Sequence, residues 1–156
     1  MRYLMVVDLQ KEFVKDRTGR KVYDKALKYI EAVRDEYNAV LAAVYKNVKT
    51  ENRNMDRLVQ WDGCMDIQDL EFIPDQIWYH SGYSIKEYPY VTSHDVIDII
   101  GFDTDACVLS CAFHIFDLGC DMRIIEDLCW SSGGRGMHEH GVAIMKRQFG
   151  KALISL

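Results

Sequence analysis

The chain has 156 residues, of which 49% are hydrophobic and 28% are charged, and this composition is ordinary for a globular protein. Its length fits one domain, residues 1–156, with a sizeable buried core. The formal net charge is -5 at pH 7, and no basic run is long enough to offset it. Because a field of this sign repels nucleic acids and anionic membranes, we expect neither as a partner.

The number and spacing of the cysteines indicate the redox environment of the protein. There are five, an odd number, and no two of them form a CxxC motif; they are Cys64, Cys107, Cys111, Cys120 and Cys129. This usage favours free thiols in a reducing cytoplasm over a disulfide framework. The apolar runs are shorter than the ~20 residues that a membrane span needs, and no signal-peptide cleavage site precedes the first strand pattern. We therefore expect a cytoplasmic protein.

The first half of the chain alternates between strand and helix patterns. The continuous apolar runs Tyr3–Val7 and Ala39–Tyr45 are typical of strands buried on both faces. Between them, apolar residues at helical spacing predict an amphipathic helix over Tyr23–Tyr37. Leu58–Met65 shows only a weak helical pattern, and Ile77–His80 is a short third strand.

The stretch Val96–Asp127 predicts one β-α-β unit. Val96–Ile100 is a short run rich in β-branched residues, which favours a strand. After Gly101, apolar residues recur at helical spacing from Cys107 onward, and Gly119 ends this helix. Met122–Ile125 then starts another strand, so the two strands must lie parallel.

The last elements complete an α/β fold. A helix is predicted over His138–Phe149, and Ala152–Leu156 is a sixth strand. The alternation indicates a three-layer α/β/α domain with a Rossmann-like, mostly parallel six-stranded sheet. The connection over residues 85–95 contains Pro89 and no helical period, which predicts an abbreviated crossover.

Three reactive side chains follow strands at the same predicted sheet edge. Asp8, His80 and Cys107 each lie at a carboxyl end, where open α/β sheets place their sites. A helix N-terminus and a nearby base lower the pKa of a thiol, which makes Cys107 a candidate nucleophile. Asp8 could accept its proton or orient His80. Unpaired backbone N–H groups of Ala106 and Cys107 could bind an oxyanion.

Each of these residues has a structural alternative. Asp8 could cap a loop, and His80 could be a half-buried histidine with satisfied hydrogen bonds. Cys107 and Cys111, four residues apart, could simply pack on one helix face. A metal at this cysteine pair is disfavoured, because no second ligand pair has matching spacing. His138 and a neighbouring His140 are interpreted as surface or loop residues.

Two segments carry a resemblance to a known family. VVDLQKEF (Val6–Phe13) and GFDTDACVLSCAFHIFDLGCDMRIIEDLCWSS (Gly101–Ser132) resemble the isochorismatase-like cysteine hydrolases, which include nicotinamidases and other small amidases. Weaker similarities at His80–Ser84 and Met137–Gly150 extend the resemblance over most of the chain.

The resemblance implies a six-stranded parallel Rossmann-like sheet and an Asp–Lys–Cys catalytic triad. Asp8 matches the family aspartate and Cys107 the nucleophile, and Phe13 matches an aromatic residue that lines the substrate pocket. The family also has a non-proline cis peptide bond, which here would join Phe102 and Asp103. That bond would aim backbone N–H groups at Asp103 into the site.

The chain departs from the family at two places. His80 occupies the position of the family lysine; protonated, it could supply the same positive charge, and neutral, it could act as a base. Nicotinamidases carry an Asp/His/His metal group after the second strand, but Lys46–Gln60 contains no histidine. We therefore expect no metal and no cofactor.

The sequence thus predicts a metal-independent cysteine hydrolase that cleaves an amide-type C–N bond of a small molecule through a thioester on Cys107. The alternative is a non-catalytic relative that binds a small molecule or a protein partner. A hydrolase without covalent catalysis is disfavoured by the cysteine.

Aromatic residues could line the substrate pocket, with Tyr83 and Trp61 as its main candidates; Trp78, Tyr79 and Trp130 could contribute. The same residues could instead belong to the core or to a subunit interface. Members of the family commonly oligomerise, so the resemblance also implies a homo-oligomer.

Overall fold

The computed structural model describes residues 1–46, 52–59, 70–85 and 91–156. The strands are β1 (Arg2–Val7), β2 (Ala39–Tyr45), β3 (Gln76–His80), β4 (Val96–Phe102), β5 (Asp121–Trp130) and β6 (Leu153–Ile154). The helices are α1 (Arg17–Val33), α2 (Arg53–Arg57), α3 (Cys107–Asp117) and α4 (Arg135–Phe149). The strands form one sheet in the order β3-β2-β1-β4-β5-β6, and every described pairing is parallel. The predicted α/β fold is confirmed.

Two apolar cores lie on opposite faces of the sheet. On one face, Tyr23, Ala26 and Ile30 of α1 pack on the inner strands. On the other face, α3 and α4 contribute residues such as Ile115 and Met145. The layers are therefore helix, sheet and helix. In the described part of the chain, no helix is both long and apolar enough to cross a membrane.

Several elements have bounds that differ from the sequence prediction. Helix α1 begins at Arg17 instead of Tyr23, because Asp16 caps it by accepting a hydrogen bond from the Gly19 N–H at 2.6 Å. Its first turn is polar, so apolar periodicity alone did not reveal it. Strand β5 continues to Trp130 and β6 has only two residues, Leu153 and Ile154.

Two predictions fall partly or wholly outside the described residues. The weak helical patch predicted over residues 58–65 is described only to residue 59, and helix α2 ends before it, at Arg57. Of the abbreviated crossover over residues 85–95, residues 86–90 lie outside the described ranges.

Strands β1 and β4 approach each other very closely at their carboxyl ends. A Cβ atom placed on Gly101 would lie 1.9 Å from the Val7 carbonyl oxygen, and the φ of Gly101 is 126°, so no other residue fits there. Asp8, directly after β1, has a φ of 45°, a left-handed conformation that is uncommon outside glycine. The peptide bond between Phe102 and Asp103 is cis, as the resemblance implies.

A buried ionic cluster lies nearer the amino-terminal edge of the sheet, around Asp98 of β4. The Asp98 carboxylate accepts hydrogen bonds from Arg123 Nε at 2.6 Å, Arg2 Nη2 at 2.9 Å and the Tyr37 hydroxyl at 2.5 Å. Burial raises the pKa of Asp98, but these three donors outweigh it and hold the pKa below its usual range. The cluster therefore keeps the Asp98 carboxylate charged and links β4 to the three segments that contain Arg2, Tyr37 and Arg123.

Candidate active site

The fold brings Asp8, His80 and Cys107 together at the carboxyl-terminal edge of the sheet. Asp8 follows β1, His80 ends β3, and Cys107 begins α3 just after β4. A carboxylate oxygen, an imidazole nitrogen and the thiol sulfur of the three side chains all lie within 4.8 Å of one another. All three residues are buried. The predicted convergence of these residues is therefore present in the structure.

His80 is held by hydrogen bonds at both ring nitrogens. Nδ1 lies 2.9 Å from the Gly82 carbonyl oxygen, and Nε2 lies 2.7 Å from Asp8 Oδ1. A carbonyl oxygen only accepts, so Nδ1 carries a proton and donates it. Burial lowers the pKa of His80, but the negative charge and hydrogen bond of Asp8 and the Gly82 carbonyl together raise it above its usual value. The contacts therefore favour an imidazolium paired with the Asp8 carboxylate.

The Cys107 thiol keeps its proton in this environment. Burial raises its pKa, and the negative charge of Asp8 and a hydrogen bond to Asp8 raise it further, well above the usual value. A hydrogen bond from the Asp103 backbone N–H opposes them but does not prevail. The expected lowering of the thiol pKa by the helix N-terminus is thus outweighed by burial and by the adjacent carboxylate.

The Asp8 carboxylate, which interacts with the Cys107 thiol, has one oxygen without a well-formed hydrogen bond. Its Oδ1 atom is bonded to His80, whereas Oδ2 is buried and makes no hydrogen bond that meets standard geometry. A buried carboxylate oxygen without a donor is costly in a folded protein. Oδ2 is therefore the atom available to receive a proton.

The backbone donors around the nucleophile position are unequally available. The Ala106 N–H donates to the Asp103 carbonyl oxygen at 3.1 Å, and the Val108 N–H donates to the same oxygen at 3.0 Å. Ala106 is thus already engaged, whereas the Cys107 N–H has no backbone acceptor among the described residues. The remaining candidates for an oxyanion are the N–H groups of Cys107 and, through its contact with the sulfur, Asp103.

The Asp103 side chain forms a second buried carboxyl group next to the site. Its Oδ1 accepts from the Ser132 N–H at 2.7 Å, and its Oδ2 accepts from the Ser132 hydroxyl at 2.6 Å. Burial raises the pKa of Asp103 to about 6, because it outweighs these two hydrogen bonds, and the charges of Asp105 and Asp8 add to the increase. No sequence spacing connects Asp103 with Ser132, so this pair was not predicted.

His138 is a structural neighbour of the site. Its Nδ1 lies 2.8 Å from the Thr104 hydroxyl, and its ring stacks on Trp130 with a centroid separation of 4.5 Å. Helix α4 approaches closely here, since a Cβ on Gly141 would lie 2.6 Å from the Thr104 carbonyl oxygen. His138 is therefore half-buried and supports the loop before Cys107, which differs from its interpretation as a surface residue.

A cavity of about 590 Å³ adjoins His80. It is lined by Asn52 and by residues 77–85, which include Trp78, Tyr79 and Tyr83. Burial raises the pKa of the Tyr83 hydroxyl, and the charges of Cys107 and Asp105 raise it further, so Tyr83 is a cavity residue that also interacts with the nucleophile position.

The other predicted pocket residues lie elsewhere. Phe13 is buried against Tyr45, with ring centroids 6.1 Å apart, and Tyr45 in turn contacts the His80 ring at 5.7 Å. Phe13 is therefore separated from His80 by one aromatic ring. Trp130 packs on His138, and Trp61 lies outside the described residues. The pocket roles of Phe13, Tyr83 and Trp61 stay predictions.

Gln10, part of the DLQ motif, was not recognised as a positioning residue. Its side-chain amide accepts from the Tyr45 N–H at 2.9 Å and donates to the Tyr45 carbonyl oxygen at 3.1 Å. This pair of bonds fastens the loop after β1 to the end of β2, and so helps to hold Asp8 at the sheet edge.

The resemblance would place a nicotinamidase-type Asp/His/His metal group after β2, and the residue types needed for it are missing there. The stretch Lys46–Gln60 supplies no imidazole, and the Asn52 side chain within it is engaged by the Asn54 N–H and the Ser81 carbonyl. Within the described ranges, the only close group of three potential ligand side chains is Asp8, His80 and Cys107.

Part of the chain matches a known family model. Residues 91–155 match the Isochorismatase domain family model. The search of curated proteins found no match. Solved structures share the fold, among them a nicotinamidase/pyrazinamidase from Bacillus subtilis with a TM-score of 0.75 and 15% identity, covering 97% of this chain and 98% of that one.

Two further structures extend this likeness. An isochorismatase-like hydrolase from Alkaliphilus metalliredigens has a TM-score of 0.71 and 16% identity, with 99% of this chain and 94% of that chain covered. A pyrazinamidase from Pyrococcus horikoshii in complex with zinc has a TM-score of 0.72 and 18% identity, with 99% and 98% covered. At these identities the likeness establishes the fold.

Proposed function

We propose that this chain, an isochorismatase-like protein by its domain match over residues 91–155 and by its fold, is a metal-independent cysteine hydrolase. In this proposal it cleaves an amide-type C–N bond of a small molecule through a thioester on Cys107. The isochorismatase domain supports a hydrolytic enzyme. The observation that carries the finer assignment is the contact of one buried carboxylate, Asp8, with both His80 and Cys107.

The first step transfers one proton and forms one bond. Because the resting thiol is protonated, its proton passes to Asp8 Oδ2 as the sulfur attacks the carbonyl carbon of the amide. In this proposal, the Cys107 N–H donates a hydrogen bond to the developing oxyanion. The C–N bond then breaks, and the leaving amine takes the proton from Asp8, which leaves a thioester on Cys107.

The second step returns the site to its starting state. Water attacks the thioester carbonyl while Asp8 accepts a proton from it, and the carboxylic acid product is released as the C–S bond breaks. The Cys107 sulfur then recovers that proton from Asp8. Water supplies the only atoms added to the products, so no other co-reactant is needed.

His80 acts as the positive charge in this mechanism and not as the base. Both of its ring N–H groups are committed as donors, one to the Gly82 carbonyl and the other to the Asp8 carboxylate. An imidazolium has no lone pair to accept the thiol proton. It can instead stabilise the negative charge that passes between Asp8 and the sulfur, which is the role that the resemblance implies for the family lysine.

The rival function is a binding module that uses the same cavity without catalysis. The observation in its favour is the high pKa of the Cys107 thiol, which leaves no preformed thiolate at neutral pH. The two functions differ in whether Cys107 becomes acylated, because a binding module needs no covalent bond to the sulfur.

The test is a pair of cysteine substitutions assayed on a panel of small primary amides and activated esters. Cys107→Ala should reduce turnover by at least about 10³-fold, since the nucleophile is lost. Cys111→Ala, one helical turn away, removes another buried thiol and should retain activity. Peptide mapping by mass spectrometry should detect an acyl adduct on Cys107 alone. Undiminished turnover in Cys107→Ala contradicts the mechanism, and wild-type protein without turnover or acylation supports the binding module.

A further inference from the structure

We propose that Asp8, His80 and Cys107 also form a three-ligand site for Zn²⁺ or a chemically similar divalent transition ion, and that occupancy withdraws Cys107 from reaction. The site would be distinct from the Asp/His/His group of nicotinamidases, which this sequence does not supply. The inference does not depend on Cys107 being a nucleophile, because it rests only on the donor atoms and their arrangement.

The donor set is one that zinc prefers. Zn²⁺ in proteins is bound by thiolate sulfur, imidazole nitrogen and carboxylate oxygen, and three-ligand sites leave a fourth position open. Tetrahedral bonds of ~2.0–2.3 Å place neighbouring donor atoms about 3.3–3.8 Å apart. The donor atoms of Asp8, His80 and Cys107 already lie within 4.8 Å of one another, so side-chain movements on the order of 1 Å would complete the geometry.

The second ring nitrogen of His80 supports this assignment. Histidines that bind metals almost always donate the other ring N–H to a carbonyl or carboxylate, which fixes the tautomer and the ring orientation. His80 Nδ1 donates to the Gly82 carbonyl oxygen at 2.9 Å, and Nε2 faces Asp8 Oδ1 at 2.7 Å. The ring is thus already oriented with Nε2 as the ligand atom.

An unsatisfied oxygen of Asp8 supplies independent support. Asp8 is 0% exposed, and its Oδ2 makes no standard hydrogen bond in the described part of the structure. A cation would satisfy this oxygen. Zn²⁺ bound to one carboxylate and one thiolate is also electrically neutral as a group, which reduces the cost of placing it in a buried site.

Metal binding has a definite proton balance. Coordination requires a thiolate at Cys107 and a free lone pair on His80 Nε2. The thiol proton and the Nε2 proton are therefore released to solvent as the metal enters. The sulfur lone pair then bonds to the metal, so it cannot attack a carbonyl carbon.

His80 is the residue that makes this site possible. The resemblance implies a lysine at this position, and a protonated ammonium group carries no lone pair for a metal. His80→Lys therefore keeps a positive charge beside Asp8 but removes one ligand. This substitution separates metal binding from the electrostatic role of the residue.

The experiment is a Co²⁺ titration of the chelator-treated full chain without substrate, followed by competition with Zn²⁺. The wild type should bind one Co²⁺ with a thiolate-to-cobalt charge-transfer absorption, should release protons in step, and should lose the band when Zn²⁺ is added. His80→Lys and Cys107→Ala should each weaken binding by at least about 10-fold and Cys107→Ala should abolish the band. Cys111→Ala and His140→Ala are matched controls that should bind as the wild type does.

Two results would overturn the site: a wild type with no thiolate–cobalt band, or a band that survives in Cys107→Ala. If His80→Lys fails to fold by circular dichroism, Cys107→Ala still decides the matter, since it changes only one small buried group. The metal site and the proposed hydrolase activity can fail independently of each other. A wild type that binds Co²⁺ but acylates on no substrate refutes the proposed hydrolase alone, whereas one that hydrolyses amides and binds no metal refutes only this inference.

Discussion

Asp8 and Asp98 are both carboxylates with 0% exposure in the same sheet, but their surroundings differ completely. Asp98 receives hydrogen bonds from two arginines and a tyrosine, and both of its oxygens have partners. Asp8 has one strong partner, His80, and its second oxygen has none of standard geometry. Asp98, with hydrogen bonds at both carboxylate oxygens, has a structural role. Asp8, with one oxygen that lacks a well-formed hydrogen bond, can accept a proton during a reaction.

The cations of the two clusters also differ in their access to water. Arg2 and Arg123 keep 34% and 38% of their side-chain surface exposed, so they pay little for approaching Asp98. The His80 side chain is 3% exposed. Water therefore screens the charges of Asp8 and His80 less than it screens those of the two arginines. Moving a proton between buried groups at the Asp8 site consequently changes the electrostatic energy more than it would near Asp98.

The strongest way to separate the two carboxylates is Asp8→Asn. We expect turnover to fall by about 10³-fold or more, since the amide cannot accept the thiol proton. We expect the free energy of unfolding to change by no more than about 1 kcal/mol, because His80 can lose its proton when its partner is neutral. Single-turnover kinetics and urea unfolding measure the two quantities on the same sample. A large loss of stability with retained activity would remove the contrast with Asp98.

The converse substitution is Asp98→Asn. Here we expect the free energy of unfolding to fall by about 1–3 kcal/mol, because the hydrogen bonds from Arg2, Arg123 and Tyr37 lose their charged acceptor. Activity per folded molecule should be unchanged, because Asp98 lies near the amino-terminal end of β4, whereas the candidate active site lies at the carboxyl-terminal edge of the sheet. Urea unfolding, with activity normalised to the folded fraction, tests both statements. The idea that this cluster is structural fails if turnover falls while stability is maintained.

The smallest expected effect is at Asp103, and it depends on pH. The folded-state pKa of about 6 lies above the ordinary value of ~3.9, so the folded state binds more protons between these pH values and loses stability as the pH rises through them. Asp103→Asn keeps a neutral group and can still bond to both donors of Ser132, because the serine hydroxyl can rotate to accept. We expect it to stabilise the protein by about 1–2 kcal/mol at pH 8 and by less than half as much at pH 4.5.

Urea unfolding at the two pH values measures this difference. Ser132→Ala is the matched control, because it removes the hydroxyl partner but leaves the Asp103 charge in place, and so it should give no stabilisation at pH 8. Equal effects of Asp103→Asn at both pH values would show that ionisation of Asp103 does not oppose folding.

Much of the fold follows from local patterns in the sequence. β-branched and apolar runs located β2 and most of β1, β3 and β4, because strands buried on both faces are continuously apolar. Helix α3 has Cys107 in its first turn, as predicted, because the apolar spacing after it defines the helix and Gly119 follows its end. From strand ends alone, the meeting of Asp8 and His80 at one sheet edge could also be predicted.

The remaining features depend on contacts between distant segments. The cap of α1 is invisible to apolar periodicity, and the Asp103–Ser132 and Arg2–Asp98 pairs join residues 29 and 96 positions apart. The direction of the Cys107 pKa was wrong because the sequence shows the helix start but not the depth of burial. The hydrogen bond from the Asp103 backbone N–H favours the thiolate of Cys107. Burial of the sulfur and the negative charge of Asp8 disfavour the thiolate more strongly.

The absent side chain of Gly101 determines the spacing of the site. A single methyl group there would meet the Val7 carbonyl oxygen at 1.9 Å, so it would have to push β1 and β4 apart. Asp8 is the residue that follows β1, and Cys107 lies a few residues beyond β4. The separation of carboxylate and thiol is therefore set by how closely two backbones pack. One hydrogen atom in the place of a methyl group keeps the two reactive groups within reach of each other.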